Sequence, residues 1–97
     1  MKKSFIDKNY FTIQGKIEEI SDLVHIVRKD LPDLYKKMLV VTISDGQKLF
    51  PEIRNKNLSQ LDNIKTNDIV NIEFTFEGSE KNGKRYNNIY INQITKV

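Results

Sequence analysis

Asn82-Gly83 joins two segments in which apolar residues recur at every second position, and that junction strongly limits what the chain can fold into. Before it, Val70, Ile72, Phe74 and Phe76 alternate with Asn71, Glu73 and Thr75. After it, Ile89 and Ile91 alternate with Tyr86, Asn88, Tyr90 and Asn92. A period of two sends side chains to opposite faces of a strand. Asn-Gly supplies the two positive φ values that a type I′ hairpin turn requires. The first set is expected to face a core and the second solvent, with Ile94 and Val97 rejoining the core after a register shift.

A second junction of this kind, Asp45-Gly46, separates KKMLVVTIS from QKLFPEIR. The first of these segments is expected to bury Leu39, Val41 and Ile43 and to show Met38, Val40 and Thr42. The second is expected to bury Leu49 and Ile53 and to show Lys48, Phe50, Glu52 and Arg54. Pro51 lacks an amide donor, which calls for an edge or bulged position. In NKNLSQLDNI, Leu58, Leu61 and Ile64 fall on one face of a short helix that would plug one end of the sheet. Upstream, Phe11, Ile13 and Ile17 face one way and Tyr10, Thr12, Gln14 and Lys16 the other. Gly15 lies in the apolar row and marks a bulge or bend. Residues 21–35 read as a long, partly structured connection in which LVHIV extends the first strand or begins the second. Residues 1–9 read as a loose leader and residues 10–97 as one domain.

Strand, turn, strand, short helix, strand, turn, strand, preceded by a long strand with an internal glycine, is the order of elements in an OB-fold. The expected class is all-β with one short helix, a five-stranded Greek-key barrel. Ninety-seven residues suffice for one core. The chain has no cysteine, so disulfides and thiolate metal sites are excluded. No apolar run approaches the roughly 18 residues of a membrane span, and a cytoplasmic protein with no membrane partner is expected.

Chemistry-bearing patterns are sparse. His25 is the sole histidine and has no sequence partner for a metal or a proton relay. Glu18 and Glu19 point to opposite faces of a strand and cannot act as a carboxylate pair. The four glycines are isolated, so no phosphate-cradling loop is present. No enzymatic activity and no cofactor are expected.

Charge is distributed in blocks. Residues 36–56 and 78–97 each carry a net +3, whereas residues 17–35 and 57–77 each carry −3. The two basic blocks fall where this barrel usually meets its ligand. Lys36, Lys37, Lys48, Arg54 and Lys56 surround the strand 2–3 hairpin, and Phe50 shares the face of Arg54. Lys81, Lys84 and Arg85 lead into Tyr86, with Tyr90 two strand periods beyond Tyr86. Cations beside aromatic rings hold single-stranded nucleic acid, through phosphates and through base stacking. The same lysines also suit edges that discourage aggregation. Tyr10 and Lys16 would extend the surface.

Single-stranded DNA is the favoured partner, read with little sequence specificity; RNA uses the same surface, and the residues do not choose between them. The alternative is a protein–protein module, an adaptor or inhibitor, motivated by the acidic segments and the outward Met38 and Val40. A homodimer, through an exposed barrel edge or through the outward strand 2 residues, is also open.

TIQGKIEEI, QKLFPEIR and NGKRYNNIYINQITKV together resemble a family of short bacterial OB-fold proteins of unassigned function, over roughly residues 11–20 and 36–97. In that family, too, the last hairpin has Asn-Gly followed by a basic residue and an aromatic one. The resemblance implies a single-stranded-DNA-binding-like role. The chain departs from the family at Arg54, where an aromatic is usual, and in its more acidic and apolar strand 1–2 connection.

Overall fold

The computed structural model describes residues 9–97, so all of the expected leader except Asn9 lies outside the described residues. Seven strands follow one another: β1 (Phe11–Ile20), β2 (Val24–Ile26), β3 (Leu34–Thr42), β4 (Lys48–Leu49), β5 (Glu52–Arg54), β6 (Ile69–Lys81) and β7 (Lys84–Lys96). The sheet runs β1-β6-β7-β5-β3, and a further β1–β3 pairing closes it into a barrel. Neighbours are antiparallel except β5 and β7, which run parallel. This is the five-stranded OB barrel expected from the sequence, with β4 and β5 as the two halves of its third strand.

β1 closes the barrel because it serves two partners. Phe11–Lys16 pair with β6 and Lys16–Ile20 with β3. The bulge falls between Ile17 and Glu19, not at Gly15. Gly15 marks a close approach instead: a Cβ there would stand 2.5 Å from Val41 Cγ1 and 3.0 Å from Thr42 O. Ile17, Leu39, Val41, Ile53, Val70, Ile72, Phe74, Ile91 and Ile94 fill the interior. Ile13, Ile43 and Ile89 pack against them from partly buried positions.

Both hairpin turns have the expected backbone. Asp45 and Gly46 take φ of 62° and 73°, and Asn82 and Gly83 take 54° and 78°. The short helix is a 3₁₀ helix over Asn55–Leu61. Its three residues per turn align Leu58 with Leu61, which explains their spacing of three; Ile64 lies beyond the helix end. Leu61 and Ile64 are buried in the barrel core.

Pro51 takes an irregular position, as its missing amide donor implied: it splits the third strand, leaving Phe50 and Pro51 between β4 and β5, and its ring is fully buried. Other expectations fail for identifiable reasons. Glu52, expected outside, is 6% exposed because two cationic side chains cover it. Phe76, expected inside, is 55% exposed. β6 and β7 run past the barrel as a two-stranded ribbon, so the inward row there has no opposing sheet. Phe76 meets Phe11 and Phe74 instead, each at a ring separation of 5.3 Å. Val97 is exposed, whereas Ile94 is buried as expected.

The register shift that returns Ile94 inward is a bulge in β7: Ile91 faces Phe74 and Gln93 faces Glu73, leaving Asn92 extra. Gln60 stitches this bulge to the 3₁₀ helix. Its Oε1 accepts from Ile94 N–H at 2.9 Å, and its Nε2 donates to Asn92 O at 3.0 Å and to Asn57 Oδ1 at 3.1 Å.

Residues 21–35 form a partly structured connection, as expected, whose ordered part is β2 and the start of β3. β2 pairs with the start of β3, along the edge that β1 occupies further on, so LVHIV does extend the first strand. His25 stacks on Tyr35 with centroids 4.4 Å apart, and its Nε2 lies 2.8 Å from Asp33 Oδ2.

Candidate functional site

The most organised polar cluster of the barrel surface lies where β5 runs beside β7. Glu52 and Tyr90 are in register there. The Glu52 carboxylate is buried and takes Lys36 Nζ at 3.5 Å on one oxygen and Arg54 Nε on the other. Burying a carboxylate demands such partners. Arg54 in turn lies over Tyr90, its Cζ 4.4 Å from the ring centroid, and its Nη2 reaches Tyr90 Oη at 3.4 Å. One carboxylate therefore aims a guanidinium onto an aromatic face.

Thr75, buried and opposite Tyr90 in register, lines a shallow depression with Glu52, Arg54, Asn57, Glu77 and Tyr90. A neighbouring depression is lined by Met38, Lys48, Phe50, Glu52, Asn88 and Ile89. Glu52 borders both, so they form one continuous surface across β3, β5 and β7. Phe50 stands at its margin, 62% exposed. Tyr86 shares the face of Tyr90 further out along β7, 48% exposed and opposite Ser79.

Burial pushes the Tyr90 phenol above its ordinary pKa; the Arg54 charge opposes this, and Glu52 and Glu77 add to it. At the other end of β3, the Thr42 hydroxyl donates to Glu18 Oε2 at 2.8 Å and holds that carboxyl below its ordinary range. Burial opposes this shift, and the charges of Lys16 and Lys48 assist it.

The basic residues singled out in the sequence do not form one patch. Lys36, Lys48, Arg54, Phe50, Tyr86 and Tyr90 share the outer face just described. Lys37, in register with inward Ile53, lines a separate depression with Leu23, Leu58 and Asp62. Lys56 is exposed on the 3₁₀ helix. Lys81 and Lys84 flank the ribbon turn, and Arg85 sits behind them with Nε 3.4 Å from Glu80 Oε2. Tyr10 and Lys16 are exposed on β1 and the residue before it.

Reasoning from the sequence missed Glu52 as the organiser of the site. Its signal was present: Glu52 and Arg54 are two apart, on one strand face, with opposite charge. Among the described residues, no group of three histidine or acidic side chains is arranged to hold a metal ion. None of their helices is long and apolar enough to cross a membrane.

The barrel resembles several solved structures. The second OB-fold domain of replication protein A from Methanococcus maripaludis superposes with a TM-score of 0.68 at 16% identity, covering 93% of this chain and 85% of that one. The mitochondrial single-stranded DNA-binding protein Rim1 from S. cerevisiae gives 0.65 at 12% identity, covering 94% and 97%. The small single-stranded DNA-binding protein from Streptomyces coelicolor gives 0.55 at 13%, covering 94% and 95%. These likenesses establish the OB-fold. No family model and no curated relative matches the chain.

Proposed function

We propose that the protein is a non-catalytic single-stranded nucleic-acid-binding module, with DNA favoured over RNA and little sequence specificity. The observation that carries this reading is the Arg54–Tyr90 stack, flanked on one barrel face by the exposed rings of Phe50 and Tyr86. Exposed rings offer stacking platforms to any base, each worth about 1–3 kcal/mol. Lys36, Lys48 and the unengaged edge of Arg54 line the path between them, where a backbone would run. Lys81 and Lys84, on the same ribbon face as Tyr86, extend that path, whereas Arg85 on the opposite ribbon face, Lys37 and Lys56 lie off it. Two of the solved structures with this fold are named as single-stranded DNA-binding proteins, which supports the same assignment.

The face is only moderately cationic, because Glu52 occupies Lys36 and Arg54 and Glu77 lies close by. Stacking should therefore contribute a larger share than phosphate contact, and salt dependence should be shallow for a nucleic-acid binder. The test is fluorescence anisotropy with a labelled single-stranded oligonucleotide of about 20 nucleotides, at low and physiological salt, with duplex DNA and RNA as competitors. Binding that prefers single strands supports the reading. Absence of binding at low salt rejects it.

A protein-binding role is the second reading. It is favoured by the exposed Phe11 and Phe76 at the root of the ribbon and by outward Met38. Recovery of a stoichiometric partner together with no oligonucleotide binding would support it.

A further inference from the structure

One side of the sheet ends in β2, and no strand of the described residues pairs with its outer edge. The pattern on β3 shows which β2 groups reach that edge. Tyr35 N–H donates to Asn55 Oδ1 at 3.1 Å and Leu39 N–H to Pro51 O at 2.9 Å, both toward β5. Met38 N–H donates to Ser21 Oγ at 2.9 Å, toward β1 and β2. Odd-numbered residues of β3 thus direct their amides away from β2. His25, in register with Tyr35, sits in a non-hydrogen-bonded pair, and its own N–H and C=O point to the unpaired edge.

Around His25 the chain reads Asp22-Leu23-Val24-His25-Ile26-Val27-Arg28. Laid antiparallel against itself about His25, this segment sets Val24 against Ile26, Leu23 against Val27 and Asp22 against Arg28 of a second copy. Two apolar matches are followed by one of opposite charge, and a two-fold axis through His25 repeats all three. A slip of one residue sets Asp22 against Val27, or Leu23 against Arg28, and takes the His25 amide out of the ladder. Leu23, Val24, Ile26 and Val27 are all exposed. Arg28 is held in place by Nε and Nη2 donating to Pro32 O at 2.9 and 2.7 Å, which leaves the other guanidinium edge open to a carboxylate.

We propose that the chain forms a homodimer by antiparallel pairing of β2 with β2 of a second copy, centred on His25 and locked in register by Asp22 against Arg28. Leu23 and Val27, just outside β2, become part of the ladder. The paired edge lies on the far side of β3 from β5, with Val24 in register with Lys36 and Lys36 with Arg54; the pairing itself engages neither Arg54 nor Tyr90 and does not depend on nucleic-acid binding.

Sedimentation velocity on the full chain, from micromolar to millimolar concentration, tests this. The wild type should show a monomer–dimer equilibrium. Asp22→Arg and Arg28→Asp should each weaken association, roughly tenfold or more, because both symmetry-related pairs become repulsive. An equimolar mixture of the two variants should associate again, since every pair across that interface is then complementary. Amide exchange at His25 should slow with concentration in the wild type. A wild type that stays monomeric overturns the proposal. So does a dimer that neither variant weakens, or a mixture that fails to recover association.

Discussion

The Arg54 guanidinium rests on the Tyr90 ring across the parallel β5–β7 junction, 4.4 Å from its centroid. The buried Glu52 carboxylate fixes that guanidinium through its Nε edge. A flat cation over a flat ring presents one more flat face to solvent, suited to a base, and lysine cannot reproduce it. Arg54→Ala and Arg54→Lys should both weaken oligonucleotide binding, by about 1–2 kcal/mol. Anisotropy titrations decide; full affinity in the lysine variant would assign Arg54 a purely ionic part.

Replacing the organising carboxylate should act in the opposite sense on charge. Glu52→Gln releases Lys36 and Arg54 from an anionic partner. The salt dependence of binding should steepen, by about 0.7 in logarithmic slope for each phosphate newly contacted. Titration at a series of salt concentrations measures this, and an unchanged slope would show that neither cation reaches phosphate.

Phe50 and Tyr86 are exposed, so truncating them should separate binding from folding. Phe50→Ala and Tyr86→Ala should each cost about 1–3 kcal/mol in affinity and leave urea midpoints nearly unchanged. Loss of stability with retained affinity would reverse the assignment.

Gly15→Ala should destabilise the barrel by about 1–3 kcal/mol. The added methyl group would meet a core side chain and the Thr42 carbonyl where β1 crosses β3. Chemical denaturation checks this.

The Tyr90 phenol should ionise above the ordinary tyrosine range, chiefly because it is partly buried. A raised folded-state pKa stabilises the neutral form. This contribution is complete below the unfolded-state value and is lost as pH rises through the folded one. Tyr90→Phe should delete that late step from an ultraviolet titration and remove the associated alkaline decline in stability.

Most of the barrel was legible because side-chain alternation and turn chemistry are local. Asp45-Gly46 and Asn82-Gly83 demand one backbone geometry whatever surrounds them, and Leu39, Val41, Val70 and Ile72 declare an inward face by spacing alone. Phe76 and Glu52 misled because their burial depends on what lies opposite. Phe76 keeps the parity of a core residue after the barrel has ended, and Glu52 keeps the parity of a surface residue beneath two cations. Gln60 gave no sequence signal, since its three partners come together only when the helix meets the β7 bulge. For the site, residue types were legible but grouping was not. Lys36 and Lys37 are adjacent in sequence yet project to different sides of β3, as a period of two requires.

The ribbon formed by β6 and β7 beyond the barrel is held by its own ladder and little else. It can open from the Asn82-Gly83 tip inward without disturbing Ile17, Leu39 or Ile53, so amide exchange should quicken steadily from barrel to tip. Anything that grips the ribbon would then damp local fraying there while global unfolding stayed where it was. Occupancy would be visible as a change in the slope of that gradient.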